Sequence, residues 1–296
     1  MLLGVLLSAC TSAGTPAPDI ATIFAEGVIS DANEQWRITF TPDGGTAYFT
    51  ESPGFFPITR RATIYLSQVT GGRWSEPTVA PFSGTFSDID PFVSRDGERL
   101  YFSSIRPFAG ATRGDLDIWM VQRTGSGWGE PIRLGDEVNT AADELYPSAS
   151  SDGTLFFASG PRAPAPGQHW DIYGARRAGS GFAQREKLGP GVNTTPSPSD
   201  ANLQSAWEFN PEISADGRML VFTSLRPGFG FGDLYVSHFR KGAWTPAQNL
   251  GPAVNTTADE YHPTLSRDGR ALYFVRRGPA PGNFYVISTW DITALR

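Results

Sequence analysis

Five times along the chain an aspartate-glycine pair stands between two short runs of apolar, β-branched and aromatic residues: Asp43-Gly44, Asp96-Gly97, Asp152-Gly153, Asp216-Gly217 and Asp268-Gly269. The aspartates are 53, 56, 64 and 52 residues apart, a period that belongs to propellers and solenoids. An Asp-Gly pair in this setting specifies a tight hairpin, because glycine takes positive φ without steric cost and aspartate bonds its own backbone. Each repeat therefore opens with two antiparallel strands.

The frame extends on both sides of the turn. An acidic residue and a proline precede it in four copies (Asp88 and Pro91, Glu144 and Pro147, Glu208 and Pro211, Glu260 and Pro263), with a weaker copy at Gln35 to Ile38. Aromatic pairs follow it, among them Tyr48-Phe49, Tyr101-Phe102 and Tyr273-Phe274. A third strand starts near positions 63, 117, 171 and 233, and an aromatic residue stands 11 positions later in each case: Trp74, Trp128, Phe182 and Trp244. That aromatic marks a fourth strand and reads as core packing repeated once per blade.

The last copy ends at Arg296 without a fourth-strand motif, whereas residues 22–30 occupy, ahead of the first copy, the position that a fourth strand holds elsewhere. The amino terminus is thus expected to complete the last blade and close the ring, leaving no open sheet edge. The expected fold is all-β: a five-bladed β-propeller of four-stranded antiparallel blades over residues 21–296. With 33 glycines, 24 prolines and 12% aromatic residues, the composition suits many short strands and tight turns.

The x-Pro-x-x-Ser-x-Asp-Gly-x-x-Leu-Tyr-Phe-x-Ser frame, followed by Asp-Ile-Tyr at 171–173, resembles the WD40-like β-propeller repeat of the TolB type. The resemblance covers nearly all of residues 22–296 and implies a propeller. TolB-type propellers commonly have six blades, which makes six the alternative to the count of five. It implies little about activity, since propellers host unrelated functions.

At the amino terminus, a short apolar run ends in Leu7-Ser8-Ala9-Cys10, which resembles the lipobox of bacterial lipoproteins. On this reading residues 1–9 are a signal segment, Cys10 is lipidated, and residues 10–20 are a flexible tether rich in Ser, Thr, Gly, Ala and Pro. The expected location is the cell envelope, as an outer-membrane lipoprotein facing the periplasm or as a secreted protein. Cys10 is the only cysteine, so neither an intrachain disulfide nor a cysteine-ligated metal site can form.

A net charge of −6 argues against nucleic acid as a partner. The three histidines, His169, His238 and His262, occupy different blade positions, and no nucleophile elbow, phosphate loop or dinucleotide fingerprint is present. No cofactor is expected, although the acidic column would leave room for calcium.

Candidate site residues follow from the repeat register. Loops entering the first strand and joining the second to the third lie at one end of the ring and are long, which makes that end the expected working face. Eight positions before each turn aspartate stand Gln35, Asp88, Glu144, Glu208 and Glu260; arginines 106, 162, 226 and 276 open the facing loops. Carboxylate-arginine pairing repeated with the blade is the expectation there. Six positions before the turn the repeat stops agreeing with itself: Arg37, Asp90, Tyr146, Asn210 and His262. Unlike polar side chains converging at one axis, flanked by Trp36, Phe209 and Tyr261, suggest a small-ligand site.

Two functions are consistent with these residues. One is a monomeric binding or scaffold module for an envelope protein, a peptide or a cell-wall glycan. The other is a glycosidase-like enzyme using Asp90 with Glu144 or Glu208, which would require those carboxyls to face each other across an open pocket.

Overall fold

The computed structural model describes residues 20–110, 114–125, 127–163, 168–195 and 203–295; Cys10, the signal segment and the tether up to residue 19 lie outside them. The chain forms five antiparallel sheets in a ring, a five-bladed β-propeller. The innermost strands are Glu34–Phe40, Asp88–Val93, Asp143–Ala149, Glu208–Ile213 and Asp259–Leu265. Each packs against the next, and the first meets the last. Closure is the one expected: Thr22–Ile23 pairs antiparallel with Asn283–Ser288, the third strand of blade five. Phe24 then packs edge-on against Phe40, Trp74 and Tyr273 across the blade five to blade one junction.

The Asp-Gly hairpins are built alike. In blade three Ser150 Oγ donates to Asp152 Oδ1 at 2.6 Å, the same oxygen accepts from the Thr154 backbone N–H at 3.0 Å, and Gly153 has φ of 82°. The hydroxyl hydrogen bond holds the Asp152 carboxyl below its ordinary range, as equivalent bonds do for Asp43, Asp216 and Asp268.

One apolar cluster fills each blade junction, for example Val93, Leu100, Phe102 and Trp119 with Ile64 between blades one and two. The fourth-strand aromatics belong to these clusters. Their place in the ladder differs from expectation. Trp74, Trp128 and Trp244 close a hairpin on the end of the third strand, and the outer strand resumes only at Thr78–Val79, Ile132–Arg133 and Gln248–Asn249. Pro77, Pro131 and Pro246 fall between the two pieces, where a residue without an N–H cannot continue the ladder.

The prolines of the innermost strands have a larger consequence. Pairing slips between Ile89 and Phe92, Leu145 and Ser148, Phe209 and Glu212, and Tyr261 and Thr264. These are β-bulges at Pro91, Pro147, Pro211 and Pro263, and the residue before each proline takes left-handed φ: Asp90 60°, Tyr146 63°, Asn210 51° and His262 51°. Non-glycine residues seldom hold that conformation. Four of the five divergent column residues are therefore placed at the axis by one repeated backbone device.

Candidate binding site at the propeller mouth

The acidic column is structural. Asp88 accepts from Arg106 at 2.6 Å, Glu208 from Arg226 at 2.9 Å and Glu260 from Arg276 at 2.8 Å. Glu144 departs from the expected partner: Arg185 holds it at 2.8 Å, while Arg162 donates to the Gly114 carbonyl. Gln35, in blade one, donates to Asp31 at 2.9 Å. Glu144, Glu208 and Glu260 each also bind the hydroxyl and N–H of a threonine in the preceding loop, at Thr140, Thr194 and Thr256.

That threonine follows an asparagine with its own fixed role. Asn193 accepts from the Ile172 N–H at 2.8 Å and donates to the carbonyls of Ile172 and Leu188; Asn139 and Asn255 occupy the same place in blades two and four. In blades two, three and four the Asn-Thr dipeptide and the Glu-Arg pair together clamp the outer strand to the next blade. The Val-Asn-Thr triplet recurs in the sequence at 138–140, 192–194 and 254–256, ahead of each glutamate, and is the signal that marks the clamp.

This arrangement does not favour the two-carboxylate reading. Glu144 and Glu208 are fully buried and saturated by arginine, threonine and serine donors, so neither presents an oxygen to a substrate. Asp90 is fully buried as well.

Beneath the mouth the channel is sealed. Arg37, wholly buried, donates to Glu212 and, at 3.2 Å, to the Pro211 carbonyl. Glu212 also accepts from Arg95 and from the Leu265 N–H, while Arg267 donates to the carbonyls of Phe40, Val93 and Ser94. About 10 Å³ of space remains there, no more than a single water needs. Arg37 and Asp90 thus line no open site, contrary to expectation.

Asp90 has the least settled environment. Neither oxygen makes a hydrogen bond among the described residues, the nearest ring nitrogen, His262 Nδ1, stands at 3.5 Å, and the Arg37 charge and the Tyr146 N–H act on it only from longer range. Burial outweighs them and pushes the Asp90 carboxyl up to about 8. Burial, helped by Arg37, drives His262 well below its ordinary value, so its ring is neutral and accepts from the Asn210 amide at 3.1 Å.

The other six predicted residues come together. Tyr146, Asn210 and His262 form the floor, and Trp36, Phe209 and Tyr261 part of the wall, of a cavity of about 360 Å³ on the long-loop face. The His262 ring meets Trp36 and Tyr146 edge-on at 5.5 and 5.4 Å. Loops supply the rest of the wall, which the repeat register did not reveal: Phe55 and Phe56 at a single helical turn (Phe56–Thr59), Trp170, Trp207 and Phe231. Arg60 at the rim is held bidentate by Asp143 at 2.6 and 3.0 Å. Ile58, Phe229 and Phe231, on the loops around the opening, are 81%, 47% and 49% exposed. Among the described residues no cluster of three His, Cys, Asp or Glu could hold a metal ion.

The fold is a five-bladed β-propeller with an aromatic cavity on one face, and its architecture is similar to that of TolB structures. No protein-family model matches the chain, and no curated protein does. Among solved structures it is similar to TolB from Acinetobacter baumannii, with 17% identity and a TM-score of 0.52, over 87% of this chain and 52% of that one. It is similar to a putative TolB from Agrobacterium tumefaciens, with 18% identity and a TM-score of 0.51, over 83% of this chain and 70% of that one. An endo-arabinase from Bacteroides thetaiotaomicron shares 13% identity with a TM-score of 0.56, over 90% and 96%. The chain spans about half the length of the Acinetobacter TolB. At these identities the likeness is one of fold.

Proposed function

We propose that this chain is a lipid-anchored, envelope-located binding module that takes an apolar segment of a protein partner into its aromatic mouth. The observation that carries the reading is the cavity itself: aromatic walls over a neutral floor, with Phe231 half-exposed in the wall and Ile58 and Phe229 exposed next along the same loops. Exposed apolar residues grouped around a concave site mark interaction surfaces. A peptide fits this chemistry better than a glycan. Sugar hydroxyls need several convergent polar groups, whereas Asn210 and His262 bond each other and Arg60 is held by Asp143. The envelope location and the anchor rest on Leu7-Ser8-Ala9-Cys10 and on the likeness to TolB.

Selection from a displayed peptide library, run beside a glycan and muropeptide array, tests the reading. The expected result is enrichment of peptides with an aromatic or aliphatic anchor, their affinity falling at least tenfold, about 1.4 kcal/mol, in Trp207→Ala and Phe231→Ser. Binding of glycans alone, or peptides indifferent to both substitutions, would overturn it.

A further inference from the structure

The opposite face, where the Asp-Gly turns lie, carries a second concavity that the mouth does not explain. Between blades three and four an open groove of about 930 Å³ runs past the turns of Asp152 and Asp216; the same junction between blades two and three leaves about 60 Å³.

The sequence accounts for the difference. The fourth residue of the third strand points into the blade junction: Leu66 and Met120 pack into the first and second junctions and Val236 into the fourth. At this place blade three has Gly174. Its third strand is also short, Asp171–Ala175, where those of blades one, two and four run eight residues. Without that side chain, Phe156, Leu188 and Trp244 are left lining the groove.

Charge is concentrated here too. The chain has net charge −6 and only two lysines, Lys187 and Lys241, and both line this groove with Arg176, Arg218 and Arg240. Three carboxylates, Asp152, Asp216 and Glu186, also face it, which leaves a local excess of two positive charges. Arg176 is paired with Glu186, and Lys187 with Asp171. Arg218, Arg240 and Lys241 make no ion pair among the described residues. Phe239, 40% exposed, stands beside them and meets Trp244 at 5.3 Å.

We infer that this groove is a second docking site, for an acidic segment of a partner protein that places one large apolar side chain on Phe156, Leu188 and Trp244. Its carboxylates would pair with Arg218, Arg240 and Lys241. Charge complementarity on an otherwise acidic molecule selects the partner's sign, and the space left at Gly174 selects the anchor. The site is independent of the mouth.

The test is fluorescence polarisation of the full chain with a labelled peptide of Asp and Glu residues around one central Trp. The comparisons are the same peptide with Ala for Trp, and inorganic polyphosphate. A Cβ at Gly174 would meet Leu188 and Phe156 at 3.6 Å, ordinary contact, so Gly174→Met fills the groove as Met120 fills its own junction. The Trp peptide is expected to bind and to lose at least tenfold in affinity in Gly174→Met and, separately, in the surface variant Arg218→Glu/Arg240→Glu, whose fold is checked by thermal unfolding. Failure of the Trp peptide to bind, or affinity unchanged in both variants, would overturn the inference. So would polyphosphate and the Ala peptide binding as tightly as the Trp peptide, since that describes a bare basic patch.

Discussion

Replacing Glu212 by glutamine leaves the shape of the channel intact and removes the one carboxylate in contact with Arg37. The two side chains are 1% and 0% exposed, so water cannot take over the role of counter-ion. Removing one partner of a buried pair typically costs 3–5 kcal/mol. Arg37 keeps its bond to the Pro211 carbonyl, which places the expected loss near the lower end, about 3 kcal/mol. For a domain of this size that lowers Tm by roughly 5 °C. The assay is urea and thermal unfolding at pH 6, where Asp90 is protonated. Above pH 8 Asp90 ionises beside the same guanidinium, so the loss in Glu212→Gln is expected to shrink. The double variant Arg37→Met/Glu212→Met should recover most of the stability, because replacing both charges by apolar groups leaves nothing buried unpaired. A loss under about 1 kcal/mol at pH 6, the size expected of an exposed pair, would refute the claim that the channel is sealed around this pair.

Other outcomes follow from the same structure. The carboxyls of Asp90, Glu51 and Glu260 are raised by burial to about 8, 7 and 7; the folded state therefore holds protons that the unfolded chain releases near pH 4, and stability is lost as pH rises from about 4 to 8. His262 acts oppositely, its depressed folded value removing stability as pH falls below about 6.5, but one such group offsets only part of the loss from three carboxyls, so a net fall in stability is expected as pH rises from about 4 to 8, and Asp90→Asn should stabilise more at pH 8 than at pH 5 in urea titrations. Asn193→Ala strips partners from the buried backbone of Ile172 and should cost about 2–3 kcal/mol by chemical denaturation. Deleting residues 20–30 removes the closing strand and the wholly buried Ile29; loss of cooperative unfolding and concentration-dependent association should follow in calorimetry and light scattering. Cys10→Ala should release the protein from the membrane fraction and abolish incorporation of labelled palmitate.

The fold was legible because its determinants repeat. Asp-Gly turns, strand prolines and fourth-strand aromatics each serve one backbone role per blade, and five registered copies separate signal from chance. The same register found the column of Tyr146, Asn210 and His262, since the bulge that turns these residues to the axis is written as a proline after each. It misjudged Arg37 and Asp90 because depth along the axis is set by packing that spacing does not report. The clue was a second column, four positions before the turn, where Glu212 interrupts Thr39, Phe92, Ser148 and Thr264: a lone carboxylate in an inward-facing set needs a buried cation. Phe55, Trp170, Trp207 and Phe231 escaped notice for another reason. They lie on loops of unequal length with no register to share, and only the closed ring brings them to one mouth.

The mouth is the central claim, and photo-crosslinking in the intact cell envelope tests it most directly. A benzoylphenylalanine at position 231, on the mouth, is compared with one at position 79, where Val79 is 45% exposed on the outer strand of blade one. The account predicts one dominant protein adduct from position 231, none from position 79, and its disappearance when a selected mouth-binding peptide is added. Adducts from position 79 alone, or an adduct at 231 that the peptide leaves untouched, would contradict it.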